Sequence, residues 1–219
     1  MNVLYEDNHL LVVEKPYGVP SQADSSGDDD MLSLCKAYIK KKYNKPGEVY
    51  LGLVHRLDRP TRGVMVFART SKAAARLSGQ IQAGQFGKKY MAVLTARPPK
   101  DSGRLVHYLQ KDEKRRIAKV VSEGTIGAKR AELEYEVMGQ KDGLTLVKVN
   151  LLTGRFHQIR AQFDSIGCSI YGDMKYGKRD VKEKLALCAY ELCLEHPTKK
   201  EPMCFSITPK HYPFNMFEI

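Results

Sequence analysis

Val54-His55-Arg56-Leu57-Asp58-Arg59-Pro60-Thr61-Arg62-Gly63 sets one carboxylate among three arginines, between an apolar run that ends at Leu57 and another that begins at Val64. Pro60 interrupts any helix or strand ladder, so Asp58 belongs on a loop between two strands. Cations this close favour its charged form. A carboxylate that stays ionised suits a nucleophile better than a proton donor. The same residues also allow a plainer reading, in which ion pairs merely tie a surface turn together.

Outward from the loop, Val49 to Leu57 reads as a buried strand and Gly63 to Ala68 as a second one. Thr70 or Ser71 then caps a helix with Ala74, Leu77 and Ile81 as its apolar stripe and Gly84 as its stop. A strand, loop, strand and helix in this order hold a loop residue rigidly. Upstream, Val3-Leu4-Tyr5 and Leu10-Leu11-Val12-Val13 flank the turn-forming Asp7-Asn8 and predict a hairpin ended by Lys15-Pro16-Tyr17-Gly18. Asp24 to Asp30 reads as a mobile acidic loop that is not a partner site. Its last member caps a helix bearing Leu32, Cys35, Ile39 and Tyr43, against a basic face of Lys36, Lys40 and Lys41.

Downstream, Lys88 to Leu94 alternates, with Tyr90, Ala92 and Leu94 on one face, so Tyr90 is either core or part of a site. Pro98 to about Arg130 reads as an irregular, highly charged excursion, solvated or in contact with a polyanion. Leu133-Tyr135-Val137 and Val147-Val149-Leu151 alternate as strands around the hairpin signal Asp142-Gly143. Thr153-Gly154 leads into a helix with Phe156, Ile159, Phe163 and Ile166 on an apolar face and His157, Arg160 and Asp164 on a polar one, closed by Gly167. Arg155 at its positive end suits a phosphate, and Arg160 a carboxylate deeper in. The alternative for Arg160 is an ordinary ion pair with Asp164. A loop through Gly172-Asp173 and Tyr176-Gly177 precedes strands over 191–194 and 203–208. No repeat and no linker divides the chain, so we expect one domain over residues 1–219, of α+β class, with a mixed, mostly antiparallel sheet and flanking helices.

The 219 residues carry 36 Lys plus Arg against 25 Asp plus Glu, a net charge of +11. That surplus points to a polyanionic partner, foremost nucleic acid. No apolar run is long enough to span a bilayer, so no membrane is expected. The start Met1-Asn2-Val3-Leu4-Tyr5-Glu6 lacks a basic region followed by an apolar stretch, which argues for a cytoplasmic protein. The five cysteines are odd in number and never spaced C-x-x-C, so we expect mostly buried, reduced thiols and no zinc.

His55-Arg56-Leu57-Asp58, with Thr61, Gly63 and Val64 to Arg69, resembles the catalytic motif of the RluA-type pseudouridine synthases. Glu6-Asp7 with Leu10 to Val13 and Lys15 to Gly18 is similar to that family's opening. Lys89-Tyr90 is similar to its second motif, and Thr153 to Arg160 to its third. The likeness runs on to Gly172-Asp173 and Tyr176-Gly177, and more weakly to His196-Pro197. It implies the pseudouridine synthase catalytic fold and the isomerisation of a uridine within ribosomal or transfer RNA, by a monomer with no metal and no cofactor. Carried over, Asp58 would be the nucleophile, Tyr90 would stack on the uracil, and Arg160 would pair with Asp58. Arg56 would fill the space left by the extruded base, with Arg62, Arg155 and His157 as further RNA contacts.

Two departures stand out. Arg62 replaces a usual serine, and Cys188 stands where a histidine is common. The chain begins directly with the family's opening, so no separate N-terminal RNA-binding module is expected. Two other readings remain: a non-catalytic RNA-binding protein on the same fold, and a metal-dependent phosphodiesterase using Asp58 with His55 or His157. The first would have lost one of the motif residues. The second would place a divalent cation among repelling arginines.

Overall fold

The computed structural model describes residues 1–177 and 183–219. In chain order these form β1 (Asn2–Glu6), β2 (Leu10–Lys15), α1 (Met31–Lys42), β3 (Gly52–Leu53), β4 (Arg62–Ala68), α2 (Ser71–Gln82), β5 (Gly87–Leu94) and β6 (Ser102–Asp112). Then follow β7 (Ile117–Val121), β8 (Lys129–Lys141), β9 (Leu144–Leu151), α3 (Gln158–Ser165), β10 (Leu187–Glu195) and β11 (Pro202–Ser206). A mixed, mostly antiparallel sheet with helices beside it is the α+β class expected from the sequence. The chain divides into two compact units, Met1–Gly87 with Ala189–Ile207, and Lys88–Cys188 with Thr208–Ile219.

In the first unit β1 and β2 form the expected hairpin, and β2 runs antiparallel to β4, with Val12 opposite Val66 and Lys15 opposite Gly63. The hairpin turn forms because Asp7 Oδ1 accepts the N–H groups of His9 (2.7 Å) and Leu10 (2.8 Å). β4 neighbours β10, and β11 pairs with β10. Leu10, Val12, Val64, Val66, Leu77, Leu192 and Leu194 make the core under α2. Thr70 caps α2 by accepting from Ala73 N–H, and Asp30 caps α1 by accepting from Ser33 N–H, each at 3.1 Å.

Two expectations change here. The buried strand over Val49 to Leu57 reduces to the two residues of β3, because the chain beyond Leu53 is held by side chains instead of a ladder. Cys193 and Cys204 are bonded to each other, with Cα atoms 4.1 Å apart, because they face each other directly across β10 and β11. Only Cys35, Cys168 and Cys188 are buried thiols. Gly63 has φ 156° and lies so close to Ala189 that an added Cβ would stand 2.5 Å from its carbonyl oxygen and 2.7 Å from its nitrogen. Glycine is required there by approach of the neighbouring backbone.

The second unit is an antiparallel array in the order β5, β9, β8, β6, β7, with Tyr90 opposite Val149, Tyr135 opposite Val149 and Leu105 opposite Leu133. Asp142 and Gly143, both with positive φ, close the expected β8–β9 turn. The charged excursion after Pro98 turns out to be the strands β6 and β7 and the start of β8. Helix α3 lies against β6 and β7, and Gln162 Nε2 bonds Leu105 C=O at 3.1 Å. It begins at Gln158, so Phe156 precedes the helix and leaves its apolar stripe.

Candidate active site

The loop that carries Asp58 is fixed from several sides. Thr61 N–H donates to Asp58 C=O at 2.9 Å, closing a four-residue turn around Arg59 and Pro60. Before the turn, the buried Ser21 hydroxyl donates to Leu57 C=O at 2.7 Å and accepts Leu57 N–H at 3.0 Å. Within the turn, Arg59 C=O accepts from Gly18 N–H and from Lys15 Nζ, each at 3.0 Å. Upstream, His55 Nε2 accepts Val66 N–H at 3.0 Å, which places the proton of the neutral ring on Nδ1.

Lys15 is wholly enclosed at the end of β2, with Nζ also on Pro16 C=O at 3.0 Å. Burial pushes it down to about 7, against the pull of the Asp58 charge and together with the repulsion of Arg59. A lysine poised between its charged and neutral forms near neutral pH is therefore built in beside the Asp58 loop, in addition to the arginines read from the sequence. Of those, Arg59 has partners outside the loop. Its guanidinium binds Gly18 C=O (2.8 Å), Ser26 Oγ (3.1 Å) and the Asp28 carboxylate, so the acidic segment expected to be mobile is anchored to the loop. Arg62 is half-buried and bonded to Glu14, and Arg56 is exposed.

In the second unit Tyr90 is buried on β5. The segment before α3 is knitted together by Gln158, whose Oε1 accepts from Thr153 Oγ1 (2.7 Å) and Arg155 N–H (3.0 Å). Arg155 itself is exposed, with Nε on Arg130 C=O at 3.0 Å. Arg160 is enclosed, and its Nε and Nη2 each bond one oxygen of Asp173 at 2.7 Å. Asp173 Oδ1 also accepts from the N–H groups of Lys175 and Tyr176, at 2.9 and 3.2 Å. Asp164, the partner considered for Arg160 from the sequence, accepts from Ser169 Oγ at 2.7 Å.

His157 was expected on the polar face, as an RNA contact. It is buried, in a left-handed conformation (φ 51°), stacked on Phe156 and 3.0 Å from Tyr176 Oη through Nδ1. Burial, then the charges of Arg160, Lys175 and Lys111, push it down to about 2, so the ring is neutral. Tyr176 Oη accepts Ala118 N–H at 2.6 Å and lies 3.0 Å from Nδ1, joining the ring to β7. Cys188 is fully buried. Among the described residues, no group of three or more His, Cys, Asp or Glu is placed to hold a metal ion.

Sequence reasoning missed Ser21, Lys15 and Asp173 as the residues that hold the Asp58 loop and Arg160. A lysine closing an apolar strand run was a usable signal for Lys15. Ser21 offered none, because its effect depends on a backbone 36 positions away.

Residues 9–165 match the family described as RNA pseudouridylate synthase. An uncharacterized RNA pseudouridine synthase of Aquifex aeolicus is 37% identical, over 94% of this chain and 69% of its own length. The dual-specificity RNA pseudouridine synthase RluA of Yersinia pestis is 34% identical, over 94% of this chain and 97% of its own. Among solved structures, the human RNA pseudouridylate synthase domain containing 4 superposes with a TM-score of 0.82, covering 98% of this chain and 91% of that one. At 24% identity that likeness speaks for the fold alone.

Proposed function

Because the chain belongs to the RNA pseudouridylate synthase family, and is thereby an isomerase acting on RNA, we propose that it converts a particular uridine of structured ribosomal or transfer RNA to pseudouridine with Asp58 as nucleophile. The observation that carries this is the clamped loop: Ser21 on Leu57, and Lys15 with Gly18 on Arg59, hold the carboxylate between two fixed backbone positions. Reactive groups have to be held to roughly 0.5 Å of their productive geometry, and such bonding supports that.

Tyr90 is the stacking partner of the uracil in this reading, and Arg160 the cation that answers the nucleophile's charge. Asp173 keeps Arg160 oriented. Exposed Arg56 fills the stack when the uridine is extruded, a step that costs a few kcal/mol. Arg155 contacts phosphate. Arg62 serves RNA only through the half-exposed part of a side chain already bonded to Glu14. Burial and a neutral ring suit His157 to positioning its neighbours instead of touching RNA. The two compact units act as a single catalytic domain, as a monomer in the cytoplasm, without metal or cofactor.

Deleting the gene and mapping pseudouridines across total RNA tests the proposal. One or a few sites should disappear and return on complementation with the wild-type chain. An unchanged map would overturn it.

A further inference from the structure

Phe156 stands out as an aromatic side chain with no apolar duty. It is 38% exposed, outside the helix whose stripe it was expected to join. One neighbour is the ring of His157, stacked at 3.9 Å between centroids and 17° between planes. Another is a cation, Lys111 Nζ, 5.2 Å from the ring centre. Rings of adjacent residues ordinarily diverge, and the left-handed backbone at His157 is what lays them face to face.

The support beneath is firm. His157 is held by Tyr176 Oη, Tyr176 by Ala118 N–H, and the backbone on the other side of Phe156 by Gln158. The surroundings are cationic: exposed Arg155 precedes the ring, and Lys175 and Lys111 lie close enough to act on His157. Lys111 Nζ is paired with the exposed Glu113 carboxylate at 2.7 Å, a surface ion pair that a phosphate beside the ring can displace as the half-exposed stem swings. An exposed flat ring, backed rigidly and bordered by cations, matches what single-stranded nucleic acid requires: a π-face for a base and positive charge for its phosphates.

We propose that Phe156, seated on His157, is a stacking platform for an RNA base other than the target uracil, with Arg155 and Lys111 taking the adjoining phosphates. This rests on the RNA reading above and adds a site to it. It also makes the side chain between Arg155 and His157 a determinant of how this chain holds unpaired nucleotides beside the reacting one.

The chain contains no tryptophan, so Phe156→Trp introduces a sole indole at the platform. The full-length variant is titrated with an oligouridylate of about ten nucleotides, within the span of common single-strand sites, and with an abasic ribose-phosphate chain of equal length. Fluorescein-labelled copies of both report binding to the wild type by anisotropy. Stacking should quench the indole on adding oligouridylate and leave it unchanged with the abasic chain. Phe156→Ala should bind oligouridylate about 10-fold more weakly, by loss of one stacked base, and bind the abasic chain as the wild type does. Oligouridylate that binds the wild type without quenching the indole, or binds Phe156→Ala equally well, overturns the platform and leaves the RNA reading standing. If neither oligomer binds the wild type, the RNA-binding reading fails, and the platform with it.

Discussion

His157 departs far from its solution behaviour, and the departure has a sign. Burial holds it neutral down to about 2 in the folded chain, whereas in the unfolded chain it takes up a proton near 6.5. Between those values the unfolded state binds the extra proton, so stability falls as pH drops through 6.5. From pH 7.5 to pH 5 the loss from this one group should be about 2 kcal/mol. Urea unfolding of wild type and His157→Gln at both pH values checks it: the variant should lack that part of the acid loss, and parallel curves would show the imidazole is not held neutral. Lys15 acts in the same direction at higher pH. Its folded value of about 7 lies below its unfolded one, so the strain of enclosing its charge eases as pH rises from about 7 toward 10. At this scale the sequence was legible for the candidate site residues and less so for those that hold them. Asp58, Tyr90 and Arg160 stand out by their motifs; Ser21 bonds across 36 positions with nothing local to mark it, and the Gly172-Asp173 pair, though visible, does not show the bond from Asp173 to Arg160 across 13 positions.

Strand β4 shows how an element can serve a loop. It starts at Arg62, directly after the turn that carries Asp58, and its Gly63 lies against Ala189 with no room for a methyl group. A methyl there would also meet a positive φ, which side chains rarely adopt. Gly63→Ala should therefore lower the thermal midpoint by several degrees, consistent with a loss of about 1–3 kcal/mol, and reduce turnover through the displaced loop. An unchanged midpoint would mean that β4 and β10 yield easily at this point. The elements with clean alternation or caps were readable: the β1–β2 and β8–β9 hairpins, β4, and the helices opened by Asp30 and Thr70. β6 and β7 were hidden because their exposed positions mix charged Arg104, Lys111 and Lys119 with apolar Val106 and Val120, while inward ones include Gly103 and His107, so no hydrophobic period survives. The Cys193–Cys204 bond was hidden for another reason: its partners meet only through the register of β10 on β11.

For the whole molecule, a net charge of +11 makes binding to a polyanion strongly dependent on salt. Arg155 and Arg160 divide this field into two roles. Arg155 is exposed, and Arg155→Ala should weaken RNA binding and reduce the slope of log affinity against log salt by about one unit. Arg160 is enclosed and bonded to Asp173, so Arg160→Met should impair turnover with the slope preserved. Equal slopes for the two variants would show that their roles are wrongly divided. The α+β class and the family were both legible over most of the chain, because the four motifs occur in order along it. The two compact units were not, since each is assembled from segments distant in sequence.

The central claim is that the carboxylate of Asp58 performs the chemistry, and single-turnover pseudouridine formation by Asp58→Asn, at saturating enzyme on RNA from cells lacking the gene, addresses it most directly. The substitution keeps size and removes the nucleophile. The wild type should modify its site, while Asp58→Asn should form no detectable product and bind the RNA as tightly as the wild type or slightly more so. Turnover by the asparagine variant within about tenfold of wild type, roughly 1.4 kcal/mol of barrier, would contradict it.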